Sequence, residues 1–206
     1  MLVPRAPDAS KSVLAIVRAG VERYRRGVSI LPIRFYGDPV LNEVTTEIDD
    51  IDGRIATLAE SMIETMYEAP GVGLAANQIG VQKRIFVYDQ GDGDGAFVVI
   101  NPTIVETDGE WTFQEGCLSV PGLSWEITRA NSVHLIGYDL EGNELDIQTD
   151  EYEGRIFQHE MDHLNGMLLI ERLDADQRRE AKILLREQRL QIAANDPDGP
   201  HRLFGE

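Results

Sequence analysis

The spacing of apolar positions changes several times along the chain, and each change marks an element. Ile55, Leu58, Ala59, Met62, Ile63 and Met66 recur at the helical period, Asp52 is placed to cap that run, and Pro70-Gly71 stops it. From Arg84 to Thr149 the signal shifts to short β-rich runs, at 84–88, 96–100, 123–128, 132–138 and 144–149. Turn sequences separate them, notably Gly91-Asp92-Gly93-Asp94-Gly95 and Glu141-Gly142-Asn143. Helical spacing returns at Tyr152, Ile156, His159 and His163, so an apolar stripe carries two histidines inward, and Gly166 supplies a left-handed stop. Residues 30–41 read as an extended segment and a turn fixed by prolines and a glycine. A last capped helix is expected over 174–194.

At 206 residues the chain has the size of one domain with an ample core. We expect an N-terminal extension over 1–29 containing a short amphipathic helix, a main body over 30–173, and a C-terminal helix and tail over 174–206. The formal net charge of -17 disfavours nonspecific binding to DNA, to other nucleic acid or to an anionic membrane surface. Val13 to Val17 is too short for a secretory core and is followed by charged residues instead of a cleavage site, and no apolar run reaches membrane-spanning length. The single cysteine excludes an internal disulfide framework and fits a reducing cytoplasm.

Candidate chemistry centres on His159-Glu160-Met161-Asp162-His163. Histidines four apart share a helix face and bind one metal, while the glutamate beside the first accepts a proton from the attacking water. A hydrolytic site needs a third protein ligand. The long form of this motif would place a histidine where Leu169 stands, and Glu171 follows His163 too closely to come from a second helix, so the third ligand is expected upstream. Cys117, flanked by glycines and a proline in Glu115-Gly116-Cys117-Leu118-Ser119-Val120-Pro121-Gly122, is either an inert buried thiol or that ligand. A third stretch, Gly71-Val72-Gly73-Leu74-Ala75-Ala76-Asn77-Gln78-Ile79-Gly80, lets the backbone approach a ligand or another chain closely, and the Gln78 amide suits a developing oxyanion. It lacks the Lys-Ser/Thr that a phosphate loop needs. The aspartates of 91–95 do not fit an EF-hand frame and read as a solvated turn, and His134 reads as structural.

These three stretches, in this order, resemble the signature motifs of the peptide deformylases, and the likeness extends over roughly 31–173. The resemblance implies an α+β fold in which antiparallel strands surround a central metal-binding helix. It implies hydrolysis of the formyl group from formyl-methionine at the N-terminus of nascent bacterial polypeptides, with another metal-dependent amidase or peptidase as the alternative. Cys117, His159 and His163 would hold one divalent metal, ferrous iron in the cell, with zinc, nickel or cobalt as substitutes. Glu160 would be the base, and Gln78 with the backbone N–H of Leu118 would receive the oxyanion. Partners would be N-formylmethionyl nascent peptides. Arg178, Lys182, Arg186 and Arg189 share about one face of the last helix and form either a solvated surface or a contact with ribosomal RNA.

Overall fold

The computed structural model describes residues 28–195, so the helix expected near the N-terminus lies outside the described residues. Asp52 caps α1 (Gly53–Glu68), its carboxylate accepting from the backbone N–H groups of Arg54 and Ile55. Five strands form one antiparallel sheet, β1 (Gly73–Ala75), β2 (Ile85–Tyr88), β3 (Phe97–Asp108), β6 (Ser132–Tyr138) and β7 (Glu144–Asp150), in the order β1-β2-β3-β6-β7. The remaining two, β4 (Trp111–Cys117) and β5 (Val120–Arg129), make a separate antiparallel hairpin.

Both faces of the inner sheet are covered, and the period of two shows how. Leu74, Ile85, Val87, Val98 and Ile100 pack with Met62 and Met66 of α1. Their neighbours Ala75, Phe86, Tyr88 and Val99 point the other way, onto Phe157, Met161 and Leu164 of α2 (Glu151–Leu164). Helix α2 therefore has the sheet on one side and the β4–β5 hairpin on the other, the α+β arrangement expected from the sequence. Glu151 and Glu153 lie in its first turn, where acidic groups suit the helix dipole, and Gly166 follows its end with φ 73°. A third cluster, with Leu41, Val120, Ile127, Leu169 and Leu173, seats α3 (Ala175–Asn195) through Ala181 and Leu185.

The strands differ from expectation in three places. β3 continues to Asp108 through Asn101-Pro102, because the register shifts between Ile100 and Thr103 and a proline there removes no needed ladder bond. β4 is an additional strand that the sequence pattern does not announce, and it ends on Cys117, which that pattern places in a connection. A short strand, β1, opens within the glycine-rich stretch. The 91–95 turn is solvent-exposed and joins β2 to β3; Asp89 and Asp92 accept from Gly91 N and Asp94 N there. His134 pairs with Asp146 at 2.8 Å on the sheet surface, a structural role as expected.

Candidate active site

The fold brings the three stretches to one place. Cys117 arrives at the end of β4, His159 and His163 project from α2, and one ligand atom from each lies within 4.8 Å of the other two. Cys117 Sγ is 3.1 Å from His163 Nε2. The imidazole centroids are 5.0 Å apart and nearly perpendicular, at 70°. His159 Nδ1 lies 3.1 Å from Glu115 Oε2, which fixes the ring and leaves Nε2 toward the group. Burial, followed by repulsion from His159 and Arg129, pushes the His163 pKa well below its ordinary value, so this imidazole is neutral. For His159, burial works downward but hydrogen bonds with Cys117 and Glu115 outweigh it and raise the pKa well above the usual value. Two imidazoles and a thiol at this spacing, with one ring oriented by a carboxylate, could together hold a divalent metal ion.

Glu115 belongs to a buried ionic network. Arg129 donates to its Oε1 through Nε at 2.7 Å and to its Oε2 through Nη2 at 3.0 Å, and Arg155 donates to Oε1 as well. Arg129 Nη1 also reaches Asp162 at 2.8 Å, and Arg172 closes on the same Asp162. Burial drives the Glu115 carboxyl upward, yet the bonds from His159 and Arg129 prevail and hold it at about 2. None of these supporting roles is assigned by the sequence motifs. The available signal is that Glu115 and Cys117 are two apart and, on a strand, share a face.

The expected catalytic residues border one cavity of about 670 Å³, with Gln78, Cys117, Leu118, His159 and Glu160 among its walls and His163 buried behind them. Gln78 lies in the 3-10 turn Ala76–Ile79, where its Oε1 accepts from Ala75 N at 2.8 Å. That leaves its Nε2 to face Ser119 Oγ at 3.2 Å and Cys117 Sγ at 3.8 Å. Glu160 is buried, its Oε2 has no hydrogen-bond partner, and burial lifts its carboxyl to about 7 against the opposing pull of His159.

The glycines serve this packing. A Cβ on Gly73 would sit 2.9 Å from Glu160 Cδ, and one on Gly71 would sit 2.8 Å from Leu118 Cδ1. The close approach anticipated for this stretch is therefore made to the chain's own site residues, and alanine at Gly73 displaces Glu160. Phe113 and Tyr152 give the cavity an aromatic part of its wall, the latter half-exposed in the first turn of α2.

Known proteins resemble this chain in sequence and in overall fold. The family model described as polypeptide deformylase matches residues 30–179. A peptide deformylase of Halothermothrix orenii is 46% identical over 144 residues, covering 70% of this chain and 94% of that protein. The crystal structure of a peptide deformylase from Legionella pneumophila superposes with a TM-score of 0.75 at 38% identity, covering 80% of this chain and 98% of that one. That of the Thermus thermophilus enzyme gives 0.72 at 43% identity, over 77% and 94%. The chain belongs to the peptide deformylase family.

Proposed function

We propose that this chain hydrolyses the formyl group from N-formylmethionyl nascent polypeptides, releasing formate and a free methionine N-terminus, with one divalent metal held by Cys117, His159 and His163. The observation that carries the reading is a buried carboxyl, Glu160, with an unpartnered oxygen beside a Cys-His-His donor group at the wall of a cavity. When bound, the metal supplies a Lewis acid and makes water acidic enough to give up a proton near neutral pH. Glu160 takes that proton and later returns it to the leaving amine, and a carboxyl lifted to about 7 suits both halves of the task. Gln78 Nε2 and the Leu118 backbone N–H donate to the oxyanion that forms at the formyl carbon, each well-placed donor contributing about 3 to 4 kcal/mol. Gln78 is prepared for this because Ala75 N already fixes its other amide atom. The apolar part of the cavity takes the methionine side chain.

Ferrous iron is the metal we assign in the cell, with zinc, nickel or cobalt as substitutes. A thiolate beside a redox-active metal is open to oxidation, so the protein is handled without air. The test is formate release from formyl-Met-Ala-Ser by anaerobically purified, iron-loaded protein, run beside Cys117→Ser. The parent is expected to release formate, and the variant to lose bound metal and activity together; full metal content in the variant would remove the thiolate from the ligand set.

Among the described residues no helix is long and apolar enough to cross a membrane, and we place the reaction in the cytoplasm, where such substrates are made. The ribosome contact through α3 narrows to fewer residues. Arg178 is engaged with the backbone carbonyls of Glu171 and Leu173, both at 2.8 Å, which leaves Lys182 and Arg186 exposed on that face; the side chain of Arg189 lies outside the described part. Co-sedimentation with ribosomes at low salt should fall in Lys182→Glu/Arg186→Glu, and equal binding would sink the contact.

A further inference from the structure

Arg155 is 3% exposed, yet it borders the cavity, and it stands one helical turn before His159. Its Nη1 donates to Glu115 Oε1 and, at 3.1 Å, to the Ile127 carbonyl; its Nη2 donates to the Trp111 carbonyl. The guanidinium carbon lies 4.7 Å from the centroid of the Trp111 ring and 5.7 Å from that of Phe113. Those rings are 4.8 Å apart, and Phe113 meets Tyr152 edge-on at 6.0 Å. One side chain thus touches the aromatic wall of the cavity, the backbone of both hairpin strands and the carboxylate that orients a candidate metal ligand.

We propose that Arg155 is a positioning residue for His159, acting through Glu115. Arg129 also holds Glu115, but it approaches with its third nitrogen committed to Asp162, farther along α2. With both arginines present, Glu115 Oε1 accepts from Arg129 and Arg155 while Oε2 accepts from Arg129 and faces His159, so the carboxylate is clamped on both oxygens. Removing Arg155 leaves Oε1 with one of its two arginine donors, frees the plane to tilt, and lets the imidazole turn with it. Partners in the shell outside a metal's ligands govern affinity by about 10- to 100-fold when they are lost. A planar fork set between rings and three acceptors is not replaced by an ammonium, so lysine restores only part of the hold.

This inference rests on the assignment of Cys117, His159 and His163 as metal ligands, and its test uses no formylated substrate. The full chain is loaded with cobalt, and two quantities are read, the visible absorption spectrum and the rate of cobalt loss to excess chelator. Arg155→Met is expected to shift the spectrum and lose cobalt about ten times faster than the parent. Arg155→Lys should fall between the two, and it remains informative where circular dichroism shows that the methionine variant has not folded. Arg172→Met, which cuts the same network at Asp162, should leave both readings unchanged. If the folded Arg155 variants keep the parent's spectrum and loss rate, the positioning role is wrong. A parent that binds no cobalt overturns the ligand assignment itself.

Discussion

Replacing Glu160 with alanine should lower formate release by about a thousandfold while leaving bound metal at the parent level, since a positioned acid–base group is worth on the order of 10² to 10⁴ in rate. The two halves of that expectation have separate physical sources. Glu160 lies beside His159 on α2, but the three atoms that converge within 4.8 Å come from Cys117, His159 and His163, so metal content should not depend on the glutamate. The rate does, because Glu160 Oε2 is buried without a partner and its carboxyl is held at about 7. Glu160→Gln is the companion variant. It fills the space against Gly73 that alanine would vacate, so a loss shared by both variants reports the missing proton acceptor and not a collapsed cavity. Metal analysis and formate assay on the same samples check the pair, and a Gln variant with parental turnover would remove Glu160 from the role of base.

Much of this site is legible in the sequence because its chemistry is concentrated in contiguous motifs. His159, Glu160 and His163 fall on one helix by spacing alone, and helix α1 can be read from its methionine-bearing stripe and its Asp52 cap. The edge of legibility is set by tertiary context. Pro102 reads as a break in a strand until the register shift beside it is known, and Trp111-Thr112-Phe113-Gln114-Glu115 alternates too few apolar residues to announce β4. Once β4 is missing, Glu115 has no defined face, and its partners Arg129 and Arg155 stand 14 and 40 residues away in sequence. Buried arginines carry no periodicity of their own; only pairing with a carboxylate across the fold makes them tolerable inside, and pairing is a property of the folded chain.

Arg129→Met should destabilise the protein by about 3 to 5 kcal/mol, the cost of leaving a buried charge without its partner, against a total stability on the order of 5 to 15 kcal/mol. Arg129 is nearly inaccessible, with 2% of its side chain exposed, and it bridges Glu115 on the hairpin to Asp162 on α2. Methionine fills much of the volume, so the loss measured is that of charge and hydrogen bonds more than of packing. Acid adds a second reading of the same interaction. The Glu115 carboxyl is depressed from 4.5 to about 2 in the folded protein, so its contribution is present above about pH 4.5 and disappears as pH falls toward 2. Without Arg129 the folded-state carboxyl rises toward its unfolded value, so the Glu115-linked loss of stability in acid shrinks in the variant. Urea unfolding from pH 7 down to 3 therefore tests both: the variant's midpoint should lie below the parent's at pH 7 with the slope unchanged, and the gap between the two should narrow as pH falls below about 4.5. Equal midpoints at pH 7 would mean that Arg155 and Arg172 suffice for Glu115 and Asp162, and that the hairpin is fastened to α2 by its apolar contacts instead.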